Sequence, residues 1–70
     1  MPKFKIESVY VERTTPVGDS LSFSLDVTSV DSGEELYLTY NRELSSNEVR
    51  FLRSKIRVGS ITELNSDYWM

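Results

Sequence analysis

The sequence predicts an α+β fold: a three-stranded antiparallel β-meander followed by one α-helix and then a short C-terminal helix or a fourth strand. Apolar and small polar residues alternate strictly from Leu21 to Thr28, which is typical of a half-buried strand. A Ser-x-x-Glu capping box that begins at Ser45 indicates the start of a helix. No linker or internal repeat interrupts the 70 residues, so we expect a single domain, 1–70.

The first strand is predicted over residues 3–13. Its apolar pattern slips by one position near Ser8 and Val9, and a β-bulge or a twisted strand would explain the slip. The next six residues, 14–19, contain a proline and a glycine among small polar residues, which predicts a loop.

The second strand is predicted from Leu21 to about Val30, and a short turn containing Gly33 leads into a third alternating strand that ends at Tyr40. The core face of the second strand is apolar. The outer face of the second strand carries the small polar side chains of Ser20, Ser22, Ser24, Asp26 and Thr28. Tyr37 and Thr39 of the third strand would continue this face.

The helix is predicted over residues 47–58. Val49, Leu52 and Ile56 recur at helical spacing, and Gly59 follows where a left-handed residue commonly ends a helix. The alternative is a strand over residues 55–58, because apolar and charged residues also alternate there.

The C-terminal segment allows two interpretations. Ser60 and Glu63 repeat the capping-box spacing, which favours a short second helix, whereas the alternative is a fourth strand. The aromatic ending at Tyr68 and Trp69 either folds back over the small core or remains exposed as an interface anchor.

Composition restricts the chemistry that this chain can perform. It has no cysteine and no histidine, so it lacks disulfides, thiolate metal ligands and the usual general base. We therefore expect no enzymatic activity, no metal and no cofactor. No apolar run reaches the length of a membrane span, which favours a cytoplasmic protein without membrane contact.

Five of the eight basic residues lie between Arg42 and Arg57, although the net charge of the chain is −3. On the predicted helix, three arginines share one side and would hold phosphates or a partner's carboxylates. The alternative is a solvated face whose arginines pair with carboxylates of this chain. Together with three aromatic residues, the candidate partner-binding residues are Arg50, Arg53, Arg57, Tyr37, Tyr68 and Trp69.

These features favour a small intracellular protein that binds another protein as a modulator, inhibitor or accessory subunit, of the kind that phages and mobile elements encode. A protein partner fits the polar sheet face or an exposed sheet edge. The alternative is a nucleic-acid-binding regulator that uses the arginine-lined helix face, which the acidic net charge disfavours. A homo-oligomer formed through an edge strand or the aromatic tail is compatible with both interpretations.

Overall fold

A computed structural model describes residues 2–70 of the chain. Its four strands form one antiparallel sheet in the spatial order β3-β2-β1-β4, so the first three strands are a meander and β4 lies beside β1. The mixed α+β class is confirmed, and the C-terminal segment provides the fourth strand. In chain order the elements are β1, Lys3–Arg13; β2, Leu21–Ser29; β3, Glu35–Thr39; α1, Ser46–Lys55; and β4, Ile61–Glu63.

The bulge that the slipped pattern predicted lies at Glu7 of β1. Ile6 aligns with Val27, but Ser8 already aligns with the next residue of β2, so β1 contains one extra residue. The Glu7 carboxylate accepts a hydrogen bond of 2.9 Å from the hydroxyl of Thr28. Because of the extra residue, Ile6 and Val9 both face the core although their spacing is odd.

The core lies between α1 and one face of the sheet. It combines side chains of the first two strands with residues from the helix, the loops and the C-terminal tail, and the fully buried members are Phe23, Ile6, Leu25 and Val27. Within residues 2–70, no element packs on the opposite face of the sheet.

The helix begins at the predicted capping box. The Ser45 hydroxyl accepts from the Glu48 N–H at 3.3 Å, and the Glu48 carboxylate accepts from the Ser45 N–H at 3.1 Å. Asp19, at the end of the first loop, accepts from the N–H of Ser46 at 3.2 Å and so holds that loop against the helix N-terminus.

The helix ends at Lys55, so the prediction of a helix through residue 58 is wrong, and so is the alternative of a strand over 55–58. The chain leaves the helix at Ile56, which has extended backbone angles and is buried. Gly59, at φ +88°, then donates its N–H to the carbonyl of Ile6 at 2.8 Å. Pairing of the segment after Ile56 with β1 therefore outweighs the local sequence preference for a helix through residue 58.

The C-terminal tail folds back, as one of the two interpretations of the aromatic ending predicted. Trp69 forms a bridge with Tyr40 beside β3, and its ring meets that of Phe23 edge-on at a centroid distance of 5.8 Å. Only 8% of Trp69 is exposed, so this residue belongs to the core. In the part of the chain that the structure describes, no helix has the length and apolar character needed to cross a bilayer.

Candidate functional site

The sheet face opposite α1, hereafter the open face, is built by three adjacent strands. Their register brings polar, charged and aromatic side chains into cross-strand rows. The two central rows are Tyr10–Ser24–Thr39 and Ser8–Asp26–Tyr37, and the next row is Lys5–Thr28–Glu35. The predicted continuation of the outer face of β2 by Tyr37 and Thr39 is therefore confirmed.

Two tyrosines and one carboxylate form the centre of the open face. The rings of Tyr10 and Tyr37 lie 6.1 Å apart between centroids and are tilted by 46°. The Tyr10 hydroxyl donates to Asp26 Oδ2 at 2.7 Å, and this hydrogen bond raises the pKa of the Tyr10 phenol above its ordinary value. Tyr10 is 41% exposed and Tyr37 is 60% exposed, so both rings present area to a partner.

The floor of the open face contains a buried hydroxyl pair. Ser24 is only 6% exposed, although it lies on the polar side of β2. Its hydroxyl lies 3.1 Å from that of its cross-strand neighbour Thr39, and the two share a hydrogen bond. No buried side-chain nitrogen or oxygen within residues 2–70 lacks a hydrogen-bond partner. The floor is thus a satisfied polar layer beneath the tyrosines.

Carboxylates surround the exposed tyrosine of β3. Glu7, Asp26 and Glu35 line a shallow depression beside Tyr37. The depression has three carboxylates and no basic residue in its lining, and Lys5 aligns with Thr28, which also lines it. A ligand that fills the depression would place cationic or hydrogen-bond-donating groups against these carboxylates.

The three predicted arginines do not share one helix side. Arg50 and Arg53 lie on α1 and are exposed, whereas Arg57 follows the end of the helix, because the chain turns toward β1 after Ile56. Among the residues described, the one ion pair joins Arg42 and Glu48 at 2.6 Å, so none of the three predicted arginines pairs there with a carboxylate of this chain. Arg42 and the Ser45 backbone together lower the pKa of Glu48 to about 2.

The two tail aromatics differ in environment. Trp69 lies in the core, whereas Tyr68 is 50% exposed and stacks on Tyr40 with ring centroids 6.1 Å apart. Tyr68 lies outside the rows of the open face.

The sequence interpretation did not select Tyr10 as a site residue. Tyr10 is separated from the core residues Phe4 and Ile6 by an even number of positions, so a regular strand would place it on the core face. The bulge at Glu7 places it on the open face instead. The slip in the apolar pattern was the signal that could have identified it. Phe51, 60% exposed on α1 beneath the ammonium of Lys55, was not selected either.

In the described part of the chain, no group of three His, Cys, Asp or Glu side chains could hold a metal ion. No protein-family model, curated protein or solved structure matches this chain.

Proposed function

We propose that this chain binds another protein through the open face and acts as a non-catalytic modulator, inhibitor or accessory subunit. The observation that carries the proposal is the exposed pair of Tyr10 and Tyr37, with Asp26 hydrogen-bonded to the first of them. Within residues 2–70 no element covers these two rings, which leaves their contact area available to a partner.

Tyrosine is suited to this task for physical reasons. Its ring offers a large apolar contact area with only two side-chain torsions to immobilise, and its hydroxyl supplies a hydrogen bond. Tyr is accordingly enriched among the residues that dominate binding energy at protein interfaces. The hydroxyl of Tyr10 is already held by Asp26, so the Tyr10 side chain loses less conformational entropy when a partner binds.

The charge around the tyrosines favours a partner with basic side chains. The depression beside Tyr37 is lined by Glu7, Asp26 and Glu35, so lysine or arginine of a partner would form charge-assisted hydrogen bonds there. The same carboxylates would repel nucleic-acid phosphates, which argues against a nucleic acid on the open face. The proposal includes action in the cytoplasm, where proteins rarely depend on disulfides, and the chain has no cysteine. It also includes a host protein as the target, if a phage or mobile element encodes the chain.

The proposal is tested by comparing two tyrosine variants. Immobilised chain is used to capture proteins from extracts of the cells that encode it, and the affinity of each captured protein is then measured with purified components. We expect Tyr37→Ala to weaken binding by at least about thirtyfold, the effect of losing a hot-spot residue. Tyr68→Ala, which removes an exposed tyrosine outside the open face, is the matched control.

Equal affinities of the wild-type chain and the Tyr37→Ala variant for every captured protein would contradict the proposal. Circular dichroism of both variants shows whether they keep the fold. Because Tyr37 is exposed on an edge strand, we expect its replacement to leave the fold intact.

A further inference from the structure

The strand β1 has one edge that is only partly paired. Its first edge aligns with β2 along nearly the whole strand, from Phe4 to Arg13. Its second edge aligns with β4 only over Lys3–Lys5. Over residues 8–13 this second edge, hereafter the free edge, pairs with no strand in the part of the chain that the structure describes.

The backbone groups that the free edge presents follow from the hydrogen-bond pattern. The N–H of Thr14 donates to the carbonyl of Ser20 at 3.1 Å, so even-numbered residues in this half of β1 face β2. The N–H and C=O groups of Val9 and Val11 therefore point outward from the free edge. Residues 9–11 have no charge, proline or glycine to block an added strand, and the two charged residues of the free edge, Glu12 and Arg13, lie at its end.

A basic groove lies next to the free edge on the side of the helix. It has a volume of about 470 Å³ and an apolar floor that includes Val11 and Val49. Arg50 and Arg53 lie along it, and neither forms an ion pair within residues 2–70. The groove thus joins an unpaired strand edge to two uncompensated guanidinium groups.

We propose that the free edge binds an extended segment of a partner protein that carries Asp or Glu at alternate positions. Backbone hydrogen bonds to Val9 and Val11 would add the segment to the sheet as a fifth strand. Every second side chain of an added strand points to the helix side, where carboxylates meet Arg50 and Arg53 in charge-assisted hydrogen bonds.

A second copy of the chain fits this edge less well than an acidic segment. If two free edges paired as antiparallel strands about a two-fold axis perpendicular to the sheet, both helices would lie on the same side of the joined sheet. Arg50 and Arg53 of both copies would then face one shared groove, and their like charges would repel. An acidic segment brings the opposite charge to the same place.

This inference rests on the proposed function only in that the partner is a protein, because it uses the free edge and not the open face. The direct test is an NMR titration of the ¹⁵N-labelled chain with an eight-residue peptide that alternates threonine and glutamate. A peptide that alternates threonine and lysine is the charge control, and oligothymidylate tests a nucleic acid as the occupant.

We expect the glutamate peptide to shift the amide resonances of Val9 and Val11 and to slow their hydrogen exchange. The double variant R50Q/R53Q should bind this peptide at least about tenfold more weakly, because charge-assisted bonds are lost. Arg57→Gln, which removes one positive charge outside the groove, should bind it unchanged.

Absence of these shifts, equal binding of the lysine peptide, or oligothymidylate bound at Arg50 and Arg53 in place of the peptide would overturn the inference. Tyr37→Ala separates the two proposals, since we expect it to leave peptide binding unchanged. If the peptide fails while Tyr37-dependent capture persists, only the free-edge site is wrong. If the peptide binds while Tyr37→Ala has no effect on capture, only the open-face proposal is wrong.

Discussion

The hydroxyl of Tyr10 donates a hydrogen bond of 2.7 Å to Oδ2 of Asp26, a residue of the neighbouring strand. The two side chains are diagonal neighbours, because Tyr10 aligns with Ser24 and Asp26 aligns with Ser8. The bond therefore draws the ring of Tyr10 along the sheet toward Tyr37, which lies beside Asp26 on β3. One carboxylate thus organises the aromatic centre of the open face.

Replacement of this carboxylate should change the titration of Tyr10. The hydrogen bond to Asp26 is the main cause of the raised pKa of Tyr10, so we expect Asp26→Asn to lower that pKa toward its ordinary value of 10.0. Ultraviolet titration of tyrosinate formation measures the change, and Tyr10→Phe identifies the Tyr10 component. An unchanged titration in Asp26→Asn would contradict the hydrogen bond between Tyr10 and Asp26.

Removal of Trp69 should be far more damaging than removal of its neighbour. Trp69 is buried against Phe23 and Tyr40, so we expect Trp69→Ala to lower the free energy of unfolding by about 3–5 kcal/mol. Tyr68→Ala, at a half-exposed position, should cost about 1 kcal/mol or less. Urea denaturation measures both, and Trp69→Phe provides a milder change if the alanine variant does not fold. Equal costs at the two positions would show that the tail is not packed on the core.

The start of α1 should make stability depend on pH in the acid range. The pKa of Glu48 is lowered from 4.5 to about 2, chiefly by its hydrogen bond to Arg42 and then by the Ser45 N–H. The ionised carboxylate therefore stabilises the folded chain above about pH 4.5, and this contribution is lost as the pH falls toward 2.

Glu48→Gln is the matched control, because glutamine keeps a capping side chain but does not titrate. We expect the difference in urea midpoint between the wild-type chain and Glu48→Gln to shrink as the pH is lowered from about 6 to about 2. A difference that is constant over this range would argue against the Arg42–Glu48 pair in solution.

Local patterns in the sequence predicted most of the sheet. The period-two alternation identified β2, the Ser45 capping box identified the start of α1, and the slip near Ser8 predicted the bulge. These features depend on neighbours within a few residues, which is why sequence alone suffices for them.

The features that sequence missed depend on contacts between distant residues. The end of α1 is determined by the bond between Gly59 and Ile6, and the C-terminal choice between helix and strand by pairing with Lys3–Lys5. The open-face position of Tyr10 follows from the bulge, which reverses the in–out alternation of the residues of β1 after Glu7. Arg57 is separated from Arg50 and Arg53 because the helix ends at Lys55 and the chain then turns toward β1.

Site-specific photo-crosslinking tests the central claim most directly, namely that the open face binds a protein. A benzophenone amino acid replaces Tyr37 in one variant and Val58 in another, since both positions are at least 60% exposed but Val58 follows the helix, outside the open face. In the cells that encode the chain, we expect a discrete crosslinked protein from position 37 and none from position 58. No crosslink at position 37, or the same product from both positions, would contradict the account.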